Sequence, residues 1–195
     1  MVAAEEEGCS RMGVEILKKG GNAVDAAITS CLCIGTVNSF SSGIGGGGFM
    51  LIRAPGKART SLVGGGELSW STSSTYLNPE NSPFLINITS PSASSSDNST
   101  LIAIDFRETA PSLSSPSMYV TAPPGSSQVG GLSVGVPGEV RGLYTAWEMY
   151  GSGRVEWKDL VEPVAELAKG WRVGRELARR FRIYGSESEM ILIFT

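Results

Sequence analysis

Three charged residues set close together, Asp105, Arg107 and Glu108, are the part of this sequence best equipped for chemistry. They close an apolar run, Leu101, Ile102, Ala103 and Ile104, in the stretch LIAIDFRETAP ending at Pro111. A guanidinium donates two parallel hydrogen bonds from a planar fork, so Arg107 is suited to gripping a carboxylate. Charges at the mouth of a buried strand also stand where sheets commonly present ligand-binding groups. The alternative is a surface arginine paired with its neighbour Glu108, an arrangement of little energetic consequence. These residues alone leave both readings open.

A second candidate is the glycine-rich stretch SSGIGGGG at 41–48. Gly43, Gly45 and Gly48 formally fit the G-x-G-x-x-G of dinucleotide loops. That fingerprint needs a strand before the glycines and a helix after them, because the helix N-terminus faces the pyrophosphate. Here a helical stretch precedes and an apolar, strand-like run at 49–52 follows. The order is reversed, and close packing of a backbone turn against a buried helix explains the glycines better.

Composition removes several classes of function. The absence of histidine excludes Ser–His and Cys–His nucleophile pairs and imidazole-bound zinc, and no cofactor or metal is implied. A net charge of −3 argues against nucleic acid as a partner. Cys9, Cys31 and Cys33 are odd in number, and two lie on one apolar stretch, which predicts no disulfide framework. No apolar span long enough for a membrane and no signal peptide is visible; either one, if the parent protein has it, lies outside this sequence. With 195 residues and 41% hydrophobic content, the chain forms one domain or a large piece of one.

The elements that must position Arg107 follow from periodicity and stop signals. Residues 10–19 predict a helix with Met12, Ile16 and Leu17 on its apolar side, stopped by Gly20 and Gly21. Asn22 caps the next helix, with Asp25 reaching back in a capping box. This helix, 23–37, is apolar nearly all round and therefore buried. Residues 60–100 are serine-rich and lack Lys and Arg, so they read as a surface excursion inserted between two strands, partly disordered. Within it, Asn87 and Asn98 begin acceptor triplets for glycosylation, mild support for a secretory route. Pro137 opens a helix running to Tyr150, with Val140, Leu143, Trp147 and Tyr150 on one face. A further helix covers 157–169, with Pro163 either bending it or marking its start. The last, 173–184, has Val173, Leu177, Phe181 and Tyr184 on its apolar face and Arg175, Arg179 and Arg182 opposite. That basic stripe is either a solvated face or a surface for a membrane or acidic partner. The apolar run 190–194 predicts a strand whose partner lies beyond the sequence, which looks cut there.

Three blocks together resemble the γ-glutamyltransferases, also called glutathione hydrolases, of fungal type with a serine-rich insertion. They are residues 13–51 around GGNAVDAAITSCLCIGTVNSFSSGIGGGGFML, residues 104–111 reading IDFRETAP, and residues 131–182 with GLSVGVPGEVRGLYTAWEMYG and WKDLVEPVAELAKGWRVG. The resemblance implies an α/β (α+β) fold, the αββα sandwich of N-terminal-nucleophile hydrolases, of which this chain holds the N-terminal portion. Residues 1–182 correspond to part of the large subunit, 60–100 to an insertion, and 183–195 to a tail outside the resemblance.

Family members are made as one precursor that cleaves itself into large and small subunits. The small subunit's leading threonine attacks the γ-glutamyl amide, with its own amine as base, which needs no histidine. Water, an amino acid or a dipeptide then resolves the acyl-enzyme. By resemblance Arg107 matches the arginine that holds the donor's α-carboxylate. No catalytic residue is carried by this chain, so the resemblance implies an inactive piece of a glutathione-cleaving enzyme. Its partners would be glutathione or another γ-glutamyl donor, the acceptor and the small subunit. Its location would be extracellular, at the cell surface or at the vacuolar membrane. Two other readings stay open. One is an amide-hydrolysing acylase of the same superfamily, which has no use for Arg107 if its donor lacks an α-carboxylate. The other is a non-catalytic truncated isoform that binds through its basic helix.

Overall fold

A computed structural model describes residues 1–54, 84–88 and 100–184. In chain order the elements are α1 (Glu7–Lys18), α2 (Ala23–Val37), β1 (Phe49–Ala54), β2 (Phe84–Ile88), β3 (Thr100–Asp105), a short 3-10 turn (Gly131–Ser133), α3 (Glu139–Tyr150), α4 (Trp157–Ala168) and α5 (Arg175–Tyr184). They form two compact units. One combines Met1–Gly43 with the described residues from Tyr150 onward; the other comprises the described residues of Ile44–Met149. The predicted site at Asn98 and the apolar run 190–194 lie outside the described residues. No helix among the described residues is long and apolar enough to cross a membrane.

The first unit is built on a hairpin of α1 and α2. Helix α1 begins at Glu7, earlier than its periodicity predicts, and buries Cys9, Gly13 and Ile16. Small residues let the two helices approach closely: a Cβ on Gly13 would stand 2.8 Å from the Val2 side chain and 3.1 Å from the Ala26 carbonyl oxygen. The Ser30 hydroxyl donates to the Cys9 carbonyl at 3.1 Å. This reversal brings Cys9 beside Cys33, with Cα atoms 5.4 Å apart, and the two form a disulfide. The expectation of no disulfide framework is thereby corrected. It rests on an odd cysteine count with two of the three on one apolar stretch, whereas the bridge depends on which residues two helices bring face to face.

The cap of α2 forms as its residue types predict. Asn22 Oδ1 accepts from the amides of Val24 and Asp25, at 2.9 and 3.1 Å, and Asp25 Oδ2 accepts from the Asn22 amide at 2.9 Å. The same cap reaches across the sequence. Asn22 Nδ2 donates to the Tyr150 carbonyl at 2.8 Å, and the Ser152 amide donates to Asp25 Oδ2 at 3.0 Å. Helix α4 packs on α2; Leu160 of the one and Ile28 of the other are fully buried, and Thr29 Oγ1 donates to the Leu160 carbonyl at 3.1 Å. Burying a side chain of that size contributes about 1.5–3 kcal/mol. Pro163 lies inside α4.

Helix α5 buries Leu177, while Val173 falls before the helix and is exposed. Its basic stripe is partly neutralised from within. Glu176 receives hydrogen bonds from Arg179 at 2.8 and 2.6 Å and from Arg180 at 2.8 Å. Those bonds, Arg179's first, hold the Glu176 carboxyl down at about 2. The Arg180 guanidinium also stands over the Phe40 ring, 5.2 Å from its centroid.

The second unit carries a three-stranded antiparallel sheet of order β1-β3-β2. β3, the strand expected at 101–104, is the central one. β2 falls inside the 60–100 segment read as a surface excursion: five residues of that segment pair with β3, and Asn87 stands opposite Ile102. The alternating aliphatic residues of FLINI were outweighed in the sequence by the serines around them. Ile52, Ile102 and Ile104 are buried on one face of the sheet, whereas Phe49 and Leu51 on the other are 68% and 67% exposed. Helix α3 starts at Glu139, two residues past Pro137, and buries Gly142, Leu143, Thr145 and Ala146. Val140, expected on the buried face, is exposed. The face has turned because Gly142 leaves the space that the Phe106 ring occupies; a Cβ there would overlap the ring.

Candidate functional site

Arg107 is positioned by backbone clamps on either side of it. Before it, Phe106 continues the β1–β3 ladder: its amide donates to the Gly48 carbonyl at 3.0 Å, and its own carbonyl accepts from Gly48 at 3.4 Å. After it, Thr109 and Val136 exchange both backbone hydrogen bonds, at 3.3 and 2.9 Å. Between these clamps the chain passes through a slot walled by glycines. A Cβ on Gly47 would overlap the Phe106 carbonyl oxygen and lie 3.0 Å from the Glu108 amide nitrogen. From the other wall, a Cβ on Gly138 would overlap the same oxygen and lie 2.9 Å from its carbon. The walls are tied together, since the Gly46 carbonyl accepts from the amides of Gly138 and Glu139 at 2.9 and 3.0 Å.

These glycines are the part of the site that sequence reasoning missed. The stretch 43–48 was expected to pack against a buried helix, and Gly43 does sit 3.7 Å, from its would-be Cβ, to the Gly35 carbonyl of α2. Gly47, however, serves the exit of β3. The signal was present as two glycine-bearing motifs, SGIGGGG and GVPGEVRG, flanking the LIAIDFRETAP stretch in the chain. Only the fold shows that both line one turn.

The side chain of Arg107 points outward and is 65% exposed. Its Nε contacts Glu108 Oε2 at 3.0 Å, and Glu108 is 34% exposed. The pairing anticipated as the alternative reading is therefore made. It engages one edge of the guanidinium through Nε. Asp105 turns toward the backbone instead, its Oδ1 accepting from the Arg107 amide at 3.0 Å. All three charged residues singled out from the sequence are thus brought together at one turn. Just beyond it an open cleft of about 470 Å³ is lined by Pro111, Ser114, Met118, Tyr119, Leu132 and Val134 among others, none of them charged. Among the described residues, no group of His, Cys, Asp and Glu could hold a metal ion.

The profile of the gamma-glutamyltranspeptidase family matches residues 9–90 and 92–191. Glutathione hydrolase proenzyme 1 of Schizosaccharomyces pombe is 45% identical over 183 residues, covering 93% of this chain and 22% of the relative. Among solved structures, the gamma-glutamyltranspeptidase of Pseudomonas nitroreducens, complexed with L-DON, is 27% identical with a TM-score of 0.65, covering 99% of this chain and 44% of that one. The Helicobacter pylori gamma-glutamyltranspeptidase superposes with a TM-score of 0.66 at 24% identity, over 94% of this chain and 42% of that one. The chain spans about a fifth of the length of the curated relative, so it holds part of the N-terminal-nucleophile hydrolase fold. On a match covering nearly all of its residues, the chain belongs to the gamma-glutamyltranspeptidase family.

Proposed function

We propose that this chain is the front part of the large subunit of a glutathione-cleaving γ-glutamyltransferase, and that Arg107 is its grip on the donor. The observation that carries this reading is an exposed guanidinium at the end of a central strand, its backbone fixed on both sides. Glu108 engages the guanidinium at Nε, so the terminal nitrogens can present their planar fork to an α-carboxylate. Held in that way, a γ-glutamyl donor offers its γ-carbonyl in a fixed place, and such positioning contributes up to about 7–11 kcal/mol in ideal cases. The nucleophile, a threonine leading a downstream small subunit, lies outside the chain. It forms the acyl-enzyme that water, an amino acid or a dipeptide resolves.

The purified chain alone then turns over neither glutathione nor a γ-glutamyl anilide, while the longer precursor does both. Turnover by the chain above an Arg107→Ala control overturns this division of labour. We also place the protein on the secretory route, a reading the Cys9–Cys33 bridge supports, since disulfides persist in oxidising compartments. Glycosylation at Asn87 or Asn98, read as a mass shift removed by a glycosidase, tests it.

A further inference from the structure

Arg107 leaves β3 through a turn closed by a side chain. Oδ1 of Asp105 accepts from the Arg107 amide, two residues on, at 3.0 Å. This is an Asx turn, in which the side-chain oxygen imitates a backbone carbonyl. Asp105 is itself firmly placed as the last residue of β3, opposite Phe49 of β1 and Phe84 of β2. The carbonyl and amide of Phe106 are both engaged by Gly48, and those of Thr109 by Val136. The Phe106–Arg107 peptide is therefore held at both its polar ends, its carbonyl by the Gly48 amide and its amide by Asp105 Oδ1, and its tilt sets the direction in which the Arg107 side chain departs.

We propose that Asp105 is a positioning residue for the donor: it holds the Arg107 peptide, and so aims the guanidinium, without touching the substrate. The inference rests on the reading of Arg107 as the donor's grip. What the turn requires is an acceptor oxygen at Oδ1, not a negative charge. The carboxylate of Glu108, by contrast, is the one that contacts the guanidinium. Asparagine offers the same oxygen on the same bonds. Serine closes the equivalent turn more weakly, and alanine closes none.

The test uses the longer precursor with Asp105→Ala, Asp105→Ser, Asp105→Asn and Arg107→Lys, and the Asp105→Ala/Arg107→Lys double variant. KM is measured for a γ-glutamyl anilide donor and, separately, for a dipeptide acceptor, alongside a melting curve for each variant. Asp105→Ala raises donor KM about three- to tenfold, the equivalent of one ordinary hydrogen bond, and leaves acceptor KM within about twofold. Asp105→Asn recovers most of that loss and Asp105→Ser falls between. In the Arg107→Lys background the alanine change adds less than about twofold, because residues that act as one unit are not additive. If Asp105→Ala fails to fold, the order of the serine and asparagine variants in donor KM decides. The proposal is overturned if Asp105→Asn is as poor as alanine or serine, if donor and acceptor suffer equally, or if donor KM does not move. An Arg107→Lys variant with unchanged donor KM sinks the underlying reading and this one with it. A large Arg107→Lys effect with a silent Asp105→Ala sinks only the role of Asp105.

Discussion

Gly47 meets the carbonyl of Phe106 at a separation that no side chain would allow, and Gly138 closes on the same carbonyl. Adding one methyl at either position forces backbone against backbone, where no flexible side-chain end can yield. Gly47→Ala and Gly138→Ala are each expected to cost about 1–3 kcal/mol. In a protein of this size that lowers Tm by about 2–4 °C per kcal/mol. Gly45→Ala is the control, since a Cβ there meets nothing within 4 Å. Equal melting temperatures for Gly45→Ala and Gly47→Ala would show that the slot is not the constraint described.

Arg107→Lys keeps the positive charge and loses the planar fork. In the longer precursor the expected loss is about 1.5–3 kcal/mol in donor use, roughly 10- to 150-fold in kcat/KM. Under the proposed acyl-enzyme route, acceptor KM barely moves, because the acceptor would enter after that intermediate has formed. If Arg107 is only a surface charge paired with Glu108, both quantities stay within about twofold, as for an exposed pair worth under about 1 kcal/mol. Steady-state kinetics with donor and acceptor varied independently separate the two.

The site was legible in the sequence as residue types and illegible as geometry. Asp105, Arg107 and Glu108 stood out because a carboxylate–guanidinium group after a short aliphatic run is a local pattern. The strands at 49–52 and 101–104 and the Asn22–Asp25 cap were readable for the same reason, since their causes lie within a few residues. The slot that holds Arg107 joins Gly47, Phe106 and Gly138, whose proximity is a product of sheet register and of where α3 begins. Local spacing shows the two glycine motifs but not that they meet at one turn. β2 was hidden by its serine-rich surroundings, and the buried face of α3 was misread because Gly142, not Val140, decides how that helix packs.

The Cys9–Cys33 bridge closes a loop with a sequence separation of 24. Chain-entropy arguments assign about 3.5 kcal/mol to a loop of that length. Under oxidising conditions the chain is expected to show a single titratable thiol, Cys31, after denaturation. Reduction by dithiothreitol lowers Tm of the unaltered chain and leaves a Cys9→Ala/Cys33→Ala variant unmoved, while Cys31→Ser responds to reductant as the original does. Three thiols in the oxidised protein would contradict the bridge.

Glu176 supplies a pH dependence local to α5. Its carboxyl, normally near 4.5, is held down at about 2 by hydrogen bonds from Arg179 and then Arg180. A carboxylate whose folded value is depressed stabilises the fold above its unfolded value, and the contribution disappears as pH falls through the folded value. Helix α5 is therefore expected to loosen between about pH 4.5 and 2, and Glu176→Gln removes that response. An NMR titration of the Glu176 side chain should give a midpoint near 2, rising in Arg179→Ala. A midpoint at the ordinary value would mean that the fork of arginines does not persist in solution.

The cap of α2 carries a cost in time. Asp25 finds Ser152 across 127 positions, and Thr29 finds Leu160 across 131. At about 5–20 residues per second, a ribosome needs roughly 6–25 s to deliver those partners. Throughout that interval the Ile44–Met149 unit emerges in one uninterrupted run, while the α1–α2 hairpin must wait with the surface meant for α4 still bare. Both cysteines of the bridge are already out by residue 33. In an oxidising lumen, closing it first would keep the waiting hairpin in its native pairing until α4 arrives.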